Sequence, residues 1–196
     1  ELWTVKIIPY GGEWSDEDEC AARVTVDGKT RYYADFETAW TKAVEESTQK
    51  STIFVLNKDW HAGDDDSNGR IDSNETKGTF KYYKDGSEYG TSKGSLYLDE
   101  LTMNLTIDLN GHTIDRGLTS AVSNGYVLYM DIYGSVTITD SSEAQTGKIT
   151  GGNHAGYGGA IYVDYGKLCV KGGNIVGNKA EYGGAIYCND LDDAFI

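Results

Sequence analysis

The sequence has one proline, no long hydrophobic run and few positive charges. No apolar stretch approaches the ~20 residues that cross a bilayer, so we expect no membrane insertion. Lys and Arg number 17 against 31 Asp and Glu, which gives a formal net charge of −14. Because nucleic acids and anionic membranes repel such a chain, we expect neither as a partner.

The chain also lacks an initiator methionine and a signal peptide, since it begins at Glu1 and ends at Ile196. We therefore interpret it as a mature or excised piece of a longer protein, cut shortly after a fourth repeat has begun. This interpretation predicts a monomeric segment of a larger protein.

Glycine and tyrosine are abundant, with 25 and 15 residues. Together with the scarcity of proline, this composition favours a turn-rich β protein. Hydrophobic residues make up 39% of the chain, which is enough for a packed core and argues against disorder. A length of 196 residues fits one domain with an entry subdomain.

A four-residue phrase occurs four times, at starts 25 to 33 residues apart. The copies are Leu96-Tyr97-Leu98-Asp99, Leu128-Tyr129-Met130-Asp131, Ile161-Tyr162-Val163-Asp164 and Ile186-Tyr187-Cys188-Asn189. This alternation predicts strands with one apolar and one polar face, stacked as a solenoid. The residues predicted to point inward are Leu128, Met130, Ile161, Val163, Ile186 and Cys188.

Two further apolar stretches follow each phrase. The second stretch begins at Leu105, Val136 and Leu168, and a third centres on Ile114, Ile149 and Ile175. Three short strands per coil, separated by Gly, Asn and Asp turns, predict an all-β solenoid, namely a right-handed parallel β-helix. A β-propeller is the main alternative, but its blades need four longer strands and ~40–50 residues.

The remaining segments complete the predicted organisation. Residues 1–57 are predicted to form an N-terminal α/β cap, with hairpin strands, one amphipathic helix at 36–47 and a buried strand at 52–56. Residues 58–94 are polar and predict an insertion, and 95–196 predict the coils, truncated at the C-terminus.

Part of the coil region resembles a known superfamily. The stretch from Ile107 to Ile114 reads Ile-Asp-Leu-Asn-Gly-His-Thr-Ile, and Gly-Gly-Ala-Ile recurs at 158–161 and 183–186. These residues resemble the pectin-lyase-like β-helix superfamily and, within it, repetitive adhesin-like surface proteins of anaerobic Gram-positive gut bacteria. The Gly-Gly-Ala-Ile phrase is also similar to polymorphic outer-membrane adhesin repeats. The resemblance implies a secreted or cell-surface protein that binds a host surface protein or a glycan.

Twelve residues of the insertion, 64–75, match an EF-hand calcium loop. The predicted Ca²⁺ ligands are Asp64, Asp66, Asn68, the carbonyl of Arg70, Asp72 and Glu75. Gly69 stands where the loop turns sharply. No amphipathic helix flanks the loop, so a structural role for calcium is the favoured interpretation, and a solvated acidic turn is the alternative.

The outward positions of the repeat predict two columns. Asp99, Asp131, Asp164 and Asn189 form one, and Tyr97, Tyr129, Tyr162 and Tyr187 form the other. Carboxylates ~4.8 Å apart repel, so turn amides, Lys171 or a cation must offset the charge. Stacked tyrosines stabilise a sheet without any ligand, but they also fit sugar rings or a protein partner. The predicted ligand-binding residues are Tyr129, Asp131, Tyr162 and Asp164.

Complete catalytic sets are missing from the sequence. β-Helix lyases pair acidic calcium ligands with a basic residue, but Arg116 is the only arginine of 95–196. Polygalacturonases carry Gly-His-Gly, whereas His112 here is followed by threonine, and the acidic pair Asp192-Asp193 lies at the end of the chain. We therefore predict a binding protein rather than an enzyme. The alternatives are a non-catalytic part of a polysaccharide lyase or glycoside hydrolase, and a spacer.

The cysteines and histidines carry weaker signals. Cys20, Cys169 and Cys188 are an odd number, and the alternation points Cys188 inward and Cys169 outward, so we predict small packed residues without a bond between these two. His61, His112 and His154 are scattered along the chain, and we predict surface or turn positions for them.

Overall fold

A computed structural model describes residues 13–14, 19–62, 79–84 and 87–189 of the chain. The elements, in chain order, are β1 (Glu13–Trp14), β2 (Ala22–Val26), β3 (Lys29–Tyr33), α1 (Phe36–Ser47), β4 (Thr52–Leu56), β5 (Trp60–His61), β6 (Thr79–Lys84), β7 (Ser87–Lys93), β8 (Leu96–Asp108), β9 (Thr113–Asp115), β10 (Leu128–Thr139), β11 (Lys148–Thr150), β12 (Asn153–Tyr157), β13 (Ile161–Val170), β14 (Asn174–Ile175), β15 (Lys179–Tyr182) and β16 (Ile186–Cys188).

The largest sheet has eight strands in the order β1-β3-β2-β4-β8-β10-β13-β16. Its first four strands pair antiparallel, and the strands from β4 onward pair parallel. Smaller sheets lie beside it: β14-β11-β9-β5 and β12-β15 are parallel, and β6-β7 is an antiparallel hairpin. The described part of the chain is therefore mainly β, with several sheets of mixed direction and one helix.

The predicted fold class, a right-handed parallel β-helix solenoid with an N-terminal α/β cap, is wrong for this chain, whose largest sheet has eight strands of mixed direction. Strand β4 pairs antiparallel with β2 on one side and parallel with β8 on the other, with Thr52 opposite both Val26 and Leu105. The N-terminal hairpin strands therefore extend the large sheet instead of closing the end of a solenoid. Pairing between distant strands leaves no local signal in a sequence. Periodicity alone therefore could not predict that the hairpin strands join the large sheet.

The prediction of three short strands per repeat is also wrong. The first and second predicted strands are one continuous strand in each repeat, of 13, 12 and 10 residues in β8, β10 and β13. Register shifts interrupt the pairing near Asp131 but do not end the sheet. Gly134 and Gly166, with φ of 149° and 106°, let the chain bend there without leaving the sheet.

The predicted direction of the repeat side chains is confirmed. Leu128, Met130, Ile161 and Val163 are buried, and the tyrosine and aspartate neighbours in β10 and β13 are half-buried. The later pair, Ile186 and Cys188, packs partly buried against the same core. The isoleucines of the third stretch also stack as predicted, since β9, β11 and β14 align Ile114, Ile149 and Ile175.

Helix α1 occupies the predicted range. Asp35 caps it, since its carboxylate accepts a hydrogen bond from the Thr38 backbone N–H at 2.7 Å. The apolar face of the helix packs in an aromatic cluster whose rings lie 4.5–6.4 Å apart. The cluster consists of Phe36, Trp40, Phe54, Trp60 and Phe80, all buried. Two of these residues, Trp60 and Phe80, come from the segment predicted to be an insertion.

Cys20, Cys169 and Cys188 form no disulfide bonds, and burial raises the pKa of Cys20 and of Cys188. In the described part of the chain, no helix has the length and hydrophobicity needed to cross a membrane.

Candidate functional site

The repeat tyrosines form a column across the parallel strands. Parallel pairing sets Tyr129 beside both Tyr97 and Tyr162, and Tyr162 beside Tyr187. The rings of Tyr97 and Tyr129 stack, with centroids 4.4 Å apart and planes 13° from parallel. The next two contacts are edge-to-face, at 5.5 Å and 5.7 Å. Such contacts stabilise the sheet and also leave tyrosine faces at its surface.

Asp164 connects the tyrosine column to the acidic column. Its carboxylate accepts hydrogen bonds from the Tyr129 hydroxyl at 3.0 Å, the Tyr162 hydroxyl at 3.4 Å and the Asn189 amide at 2.8 Å. The structure therefore brings together three of the four predicted ligand-binding residues, and they bind one another. The fourth, Asp131, lies close enough for its charge to act on Tyr129.

The electrostatic environment of this face keeps its tyrosines protonated. Burial, followed by the hydrogen bond and the charge of Asp164, raises the pKa of Tyr129. Burial also raises the pKa of Tyr162 and that of Tyr126, whose ring lies 5.3 Å from the Tyr129 ring. These hydroxyls are therefore hydrogen-bond donors throughout the neutral pH range.

Two aspartates outside the acidic column, Asp108 and Asp140, accept hydrogen bonds from turn amides. Asp108 accepts hydrogen bonds from the backbone N–H groups of Asn110 and Ser141, at 3.0 Å and 2.8 Å. Asp140 accepts from the N–H of Gly111 at 2.8 Å and from that of Gly147 at 2.7 Å. These residues stabilise turns, whereas Asp164 is bound by side chains at the surface of the sheet.

A second arrangement lies beside the tyrosine column, where the strands bend. It is a shallow cleft of about 440 Å³, a volume in the usual range for small-molecule sites. The cleft is lined by Asn104, Ile132, Tyr133, Gly134, Ser135, Tyr165, Gly166 and Lys167. Tyr133 and Tyr165 form its aromatic wall, with centroids 5.4 Å apart and planes at 63°.

The polar side of the cleft comes from neighbouring repeats. The Ser135 hydroxyl donates a hydrogen bond to the Asn104 side-chain oxygen at 3.0 Å, and Lys167 is exposed nearby. Glycine is required at the bend because a Cβ on Gly134 would lie 2.0 Å from the Met103 carbonyl oxygen. Two aromatic rings, a hydroxyl, an amide and an ammonium group therefore line the same cleft.

Sequence reasoning missed this cleft. The four-residue phrase drew attention to positions 129, 131, 162 and 164, whereas the cleft follows directly after them. The available signal was a second repeat, Tyr133-Gly134-Ser135 and Tyr165-Gly166-Lys167, whose spacing is one residue shorter than that of the corresponding phrases. A tyrosine beside a glycine that bends a strand is exposed, as Tyr133 is at 58%.

The three histidines lie in two different settings. His61 and His112 are on the outside, where their Nδ1 atoms lie 3.2 Å from Asp115 and 3.3 Å from Asp59. The predicted surface or turn position is wrong for His154, which is buried in β12. Both its ring nitrogens face backbone carbonyls, those of Tyr157 and Ser123. It therefore joins the 118–126 segment to β12.

Arg116 is mostly buried beside the tyrosine column. A Cβ on Gly94 would lie 2.1 Å from its Nη1 atom, so glycine leaves the space that the guanidinium fills. Burial lowers the pKa of Arg116, and its charge acts on Tyr126.

The predicted calcium loop, 64–75, lies outside the described residues. Within 19–62, 79–84 and 87–189, no group of three or more His, Cys, Asp or Glu side chains is arranged to hold a metal ion.

No protein-family model, curated protein or solved structure matches the chain. The candidate site therefore rests on its geometry and chemistry alone.

Proposed function

We propose that this chain is a non-catalytic, glycan-binding module of a secreted or cell-surface protein. The observation that carries the proposal is the cleft that Tyr133 and Tyr165 line together with Asn104, Ser135 and Lys167. A sugar ring has an apolar C–H face and a rim of hydroxyls. An exposed ring pair beside amide, hydroxyl and ammonium groups matches both parts of such a ligand.

A glycan is favoured over a protein partner by the shape of the site. Tyr133 and Tyr165 are 58% and 38% exposed, yet they stand in a concave cleft rather than on a flat apolar patch. Rigid tyrosines lose little conformational entropy when a ligand binds, so a small polar ligand can bind there without a large buried area.

The charge favours a neutral glycan. The chain carries a net charge of −14, and Asp131 and Asp164 lie on the adjoining tyrosine face. An anionic polysaccharide would be repelled by this surface, apart from local attraction by Lys167. The resemblance to adhesin-like surface proteins supports an extracellular binding role and stays a prediction.

A glycan array containing neutral and anionic glycans tests the proposal. We expect neutral glycans to bind wild-type protein, and the Tyr133→Ala/Tyr165→Ala variant to lose at least tenfold in affinity, about 1.4 kcal/mol. Tyr32→Ala is the matched control, since Tyr32 lies in β3 and three strands separate β3 from β10 in the sheet. The Tyr129→Ala/Tyr162→Ala variant tests whether the ligand binds instead at the tyrosine face that the sequence predicts.

Three results would contradict the proposal: no glycan bound, binding unaffected by the Tyr133→Ala/Tyr165→Ala change, or a preference for anionic glycans. Incubation with the bound polysaccharides should release neither reducing ends nor unsaturated sugars. Release of either product would establish catalysis and remove the non-catalytic part of the proposal.

We also propose that the 64–75 loop binds one Ca²⁺ ion in a structural role. The spacing of its oxygen ligands from Asp64 to Glu75 supports this proposal. Calorimetry should detect Ca²⁺ binding to the wild-type protein and none to Asp64→Ala/Glu75→Ala. Calcium should also raise the melting temperature of the wild-type protein alone. Equal heats for the two proteins would exclude this site.

A further inference from the structure

A second exposed tyrosine pair lies on the other side of the tyrosine column from the cleft. Tyr157 and Tyr182 are paired neighbours in β12 and β15, and their rings stack with centroids 5.2 Å apart and planes 24° from parallel. They are 42% and 52% exposed. Neither residue was included in the predicted ligand site.

The two exposed pairs are joined through the column. The Tyr157 ring lies 4.5 Å from the Tyr187 ring and 6.3 Å from the Tyr162 ring. From Tyr162, β13 continues to Tyr165 at the cleft, and both residues point away from the core. Tyr165 can point outward, three residues after Tyr162, because the register shift near Asp131 places Tyr165 and not Asp164 opposite Asp131.

The resulting strip has a length that can be estimated. Three residues of extended strand separate Tyr162 from Tyr165, a distance of about 10 Å. With the 6.3 Å between the rings of Tyr157 and Tyr162, the two ends of the strip lie on the order of 15 Å apart. A pyranose ring is about as wide as the ~4.8 Å spacing of neighbouring strands, so the strip accommodates about three rings.

The middle of the strip is polar. Asp164 lies between Tyr162 and Tyr165 in β13 and accepts three hydrogen bonds from its neighbours. A ring that crosses this point meets a carboxylate that attracts hydroxyl donors and repels anions. Aromatic contacts at both ends and an acceptor between them fit a chain of neutral sugar rings better than one isolated ring.

Resting on the glycan-binding function above, we propose that the ligand is a linear, neutral oligosaccharide of at least three rings. It lies along β13, with one end on the Tyr157–Tyr182 pair and the other in the Tyr133–Tyr165 cleft. Because packed parallel strands fix the positions of both pairs, the second contact costs little additional entropy and affinity rises with the length of the chain.

Calorimetry with linear oligosaccharides of one to six rings tests the proposal. The probes are series built from glucose, mannose, xylose, galactose or N-acetylglucosamine, with galacturonic acid oligomers as the anionic series. For the neutral series that binds, affinity should rise at least tenfold from one ring to four and then level off. The anionic series should bind more weakly at every length.

Variants assign the two ends of the ligand. Tyr182→Ala should weaken binding of four rings at least fivefold and leave binding of one ring unchanged. Tyr182→Phe keeps the ring and should restore the affinity for four rings. Tyr165→Ala should weaken the binding of all lengths, since it removes part of the cleft.

The possible failures are distinguishable. Equal affinity for one and four rings, or no effect of Tyr182→Ala on four rings, would overturn the extended site and leave the cleft intact. Absence of binding by every series would overturn the extended site and the glycan-binding function together. A preference for galacturonic acid oligomers would also contradict both.

Discussion

Individual carboxylates in this protein have two different structural uses. Asp140 accepts hydrogen bonds from backbone N–H groups at a turn, whereas Asp164 accepts them from tyrosine hydroxyls and an asparagine amide. The first arrangement fixes the backbone, and the second orders side chains at the surface. In both arrangements, hydrogen bonds to the carboxylate favour its charged form.

The raised pKa values of the face tyrosines should appear in an alkaline titration. Burial raises the pKa of Tyr126, Tyr129 and Tyr162, so these should ionise above the usual pH range of tyrosine when phenolate absorbance is followed. Because their folded-state pKa values lie above the unfolded value, their contribution to stability is present below about pH 10 and declines above it. Tyr129→Phe should remove one of these late-ionising groups.

Asp140 should contribute to stability in a different pH range. Burial alone would raise its pKa, but hydrogen bonds from the Ser142 hydroxyl and from the N–H groups of Gly147, Ser142 and Gly111 lower it. Its contribution is therefore present above about pH 4 and is lost as the pH falls through the lowered pKa. Asp140→Asn should lower the melting temperature at pH 6 but have little effect at pH 2. An equal loss at both pH values would contradict this assignment.

At the level of elements, close contacts between consecutive turns limit which glycines can be replaced. A Cβ on Gly152 would lie 1.8 Å from the carbonyl oxygen of Gly159, whereas one on Gly156 would find its nearest contact at 3.6 Å. Both positions belong to the β12 region, so they form a matched pair. The contrast reflects how closely the chain packs on itself rather than a difference in local sequence.

Gly152→Ala should therefore destabilise the protein by about 3 kcal/mol or more, because a backbone atom must move. Gly156→Ala should change the free energy of unfolding by about 0.5 kcal/mol or less. Urea denaturation of both variants provides the measurement. Similar values for the two would mean that the turn before β12 is not packed as described.

The strand content of the repeats follows from the sequence, but the strand ends do not. Period-2 alternation predicts that Ile161 and Val163 are buried because a pleated strand alternates faces regardless of its partners. Gly134 and Gly166 suggest turns by the same local reasoning, yet they lie within β10 and β13. Only the neighbouring backbone decides whether a glycine ends a strand or bends it.

The candidate site, too, could be predicted from the sequence only in part. Alignment of the phrases predicts that Tyr129 and Tyr162 are neighbours, which the parallel pairing confirms. The hydrogen bond from Tyr129 to Asp164 depends on side-chain orientation between repeats, and the cleft depends on a register shift. Neither leaves a pattern in one sequence. The calcium loop stays a prediction, since it lies outside the described residues.

At the scale of the whole molecule, one aromatic cluster joins elements that the sequence assigns to different segments, the cap at 1–57 and the insertion at 58–94. Phe36 comes from α1, Phe54 from β4, and Phe80 from the β6-β7 hairpin. Since β4 also pairs with β8, the cluster connects the antiparallel and parallel parts of the large sheet. Tertiary packing of this kind cannot be read from segment composition, which is why 58–94 looked like a detached insertion.

This connection predicts cooperative unfolding. Phe80→Ala should destabilise the protein by about 3–5 kcal/mol, the usual cost of removing a buried phenylalanine. The loss should lower the melting temperature measured by near-UV signals of the cluster and by far-UV signals of the sheet by the same amount. Separate transitions by the two signals would show that the N-terminal part unfolds independently.

The pairing of β4 with β8 also has a consequence for how quickly the protein acquires its structure. Thr52 and Leu105 lie more than fifty residues apart, so their strands meet only after a long loop closes. The β2-β3 hairpin, turned by Asp27 and Gly28 at φ of 51° and 74°, needs no such closure and forms within about microseconds. The hairpin therefore forms early in folding. Completion of the large sheet is slower and sets a refolding time on the order of milliseconds to seconds.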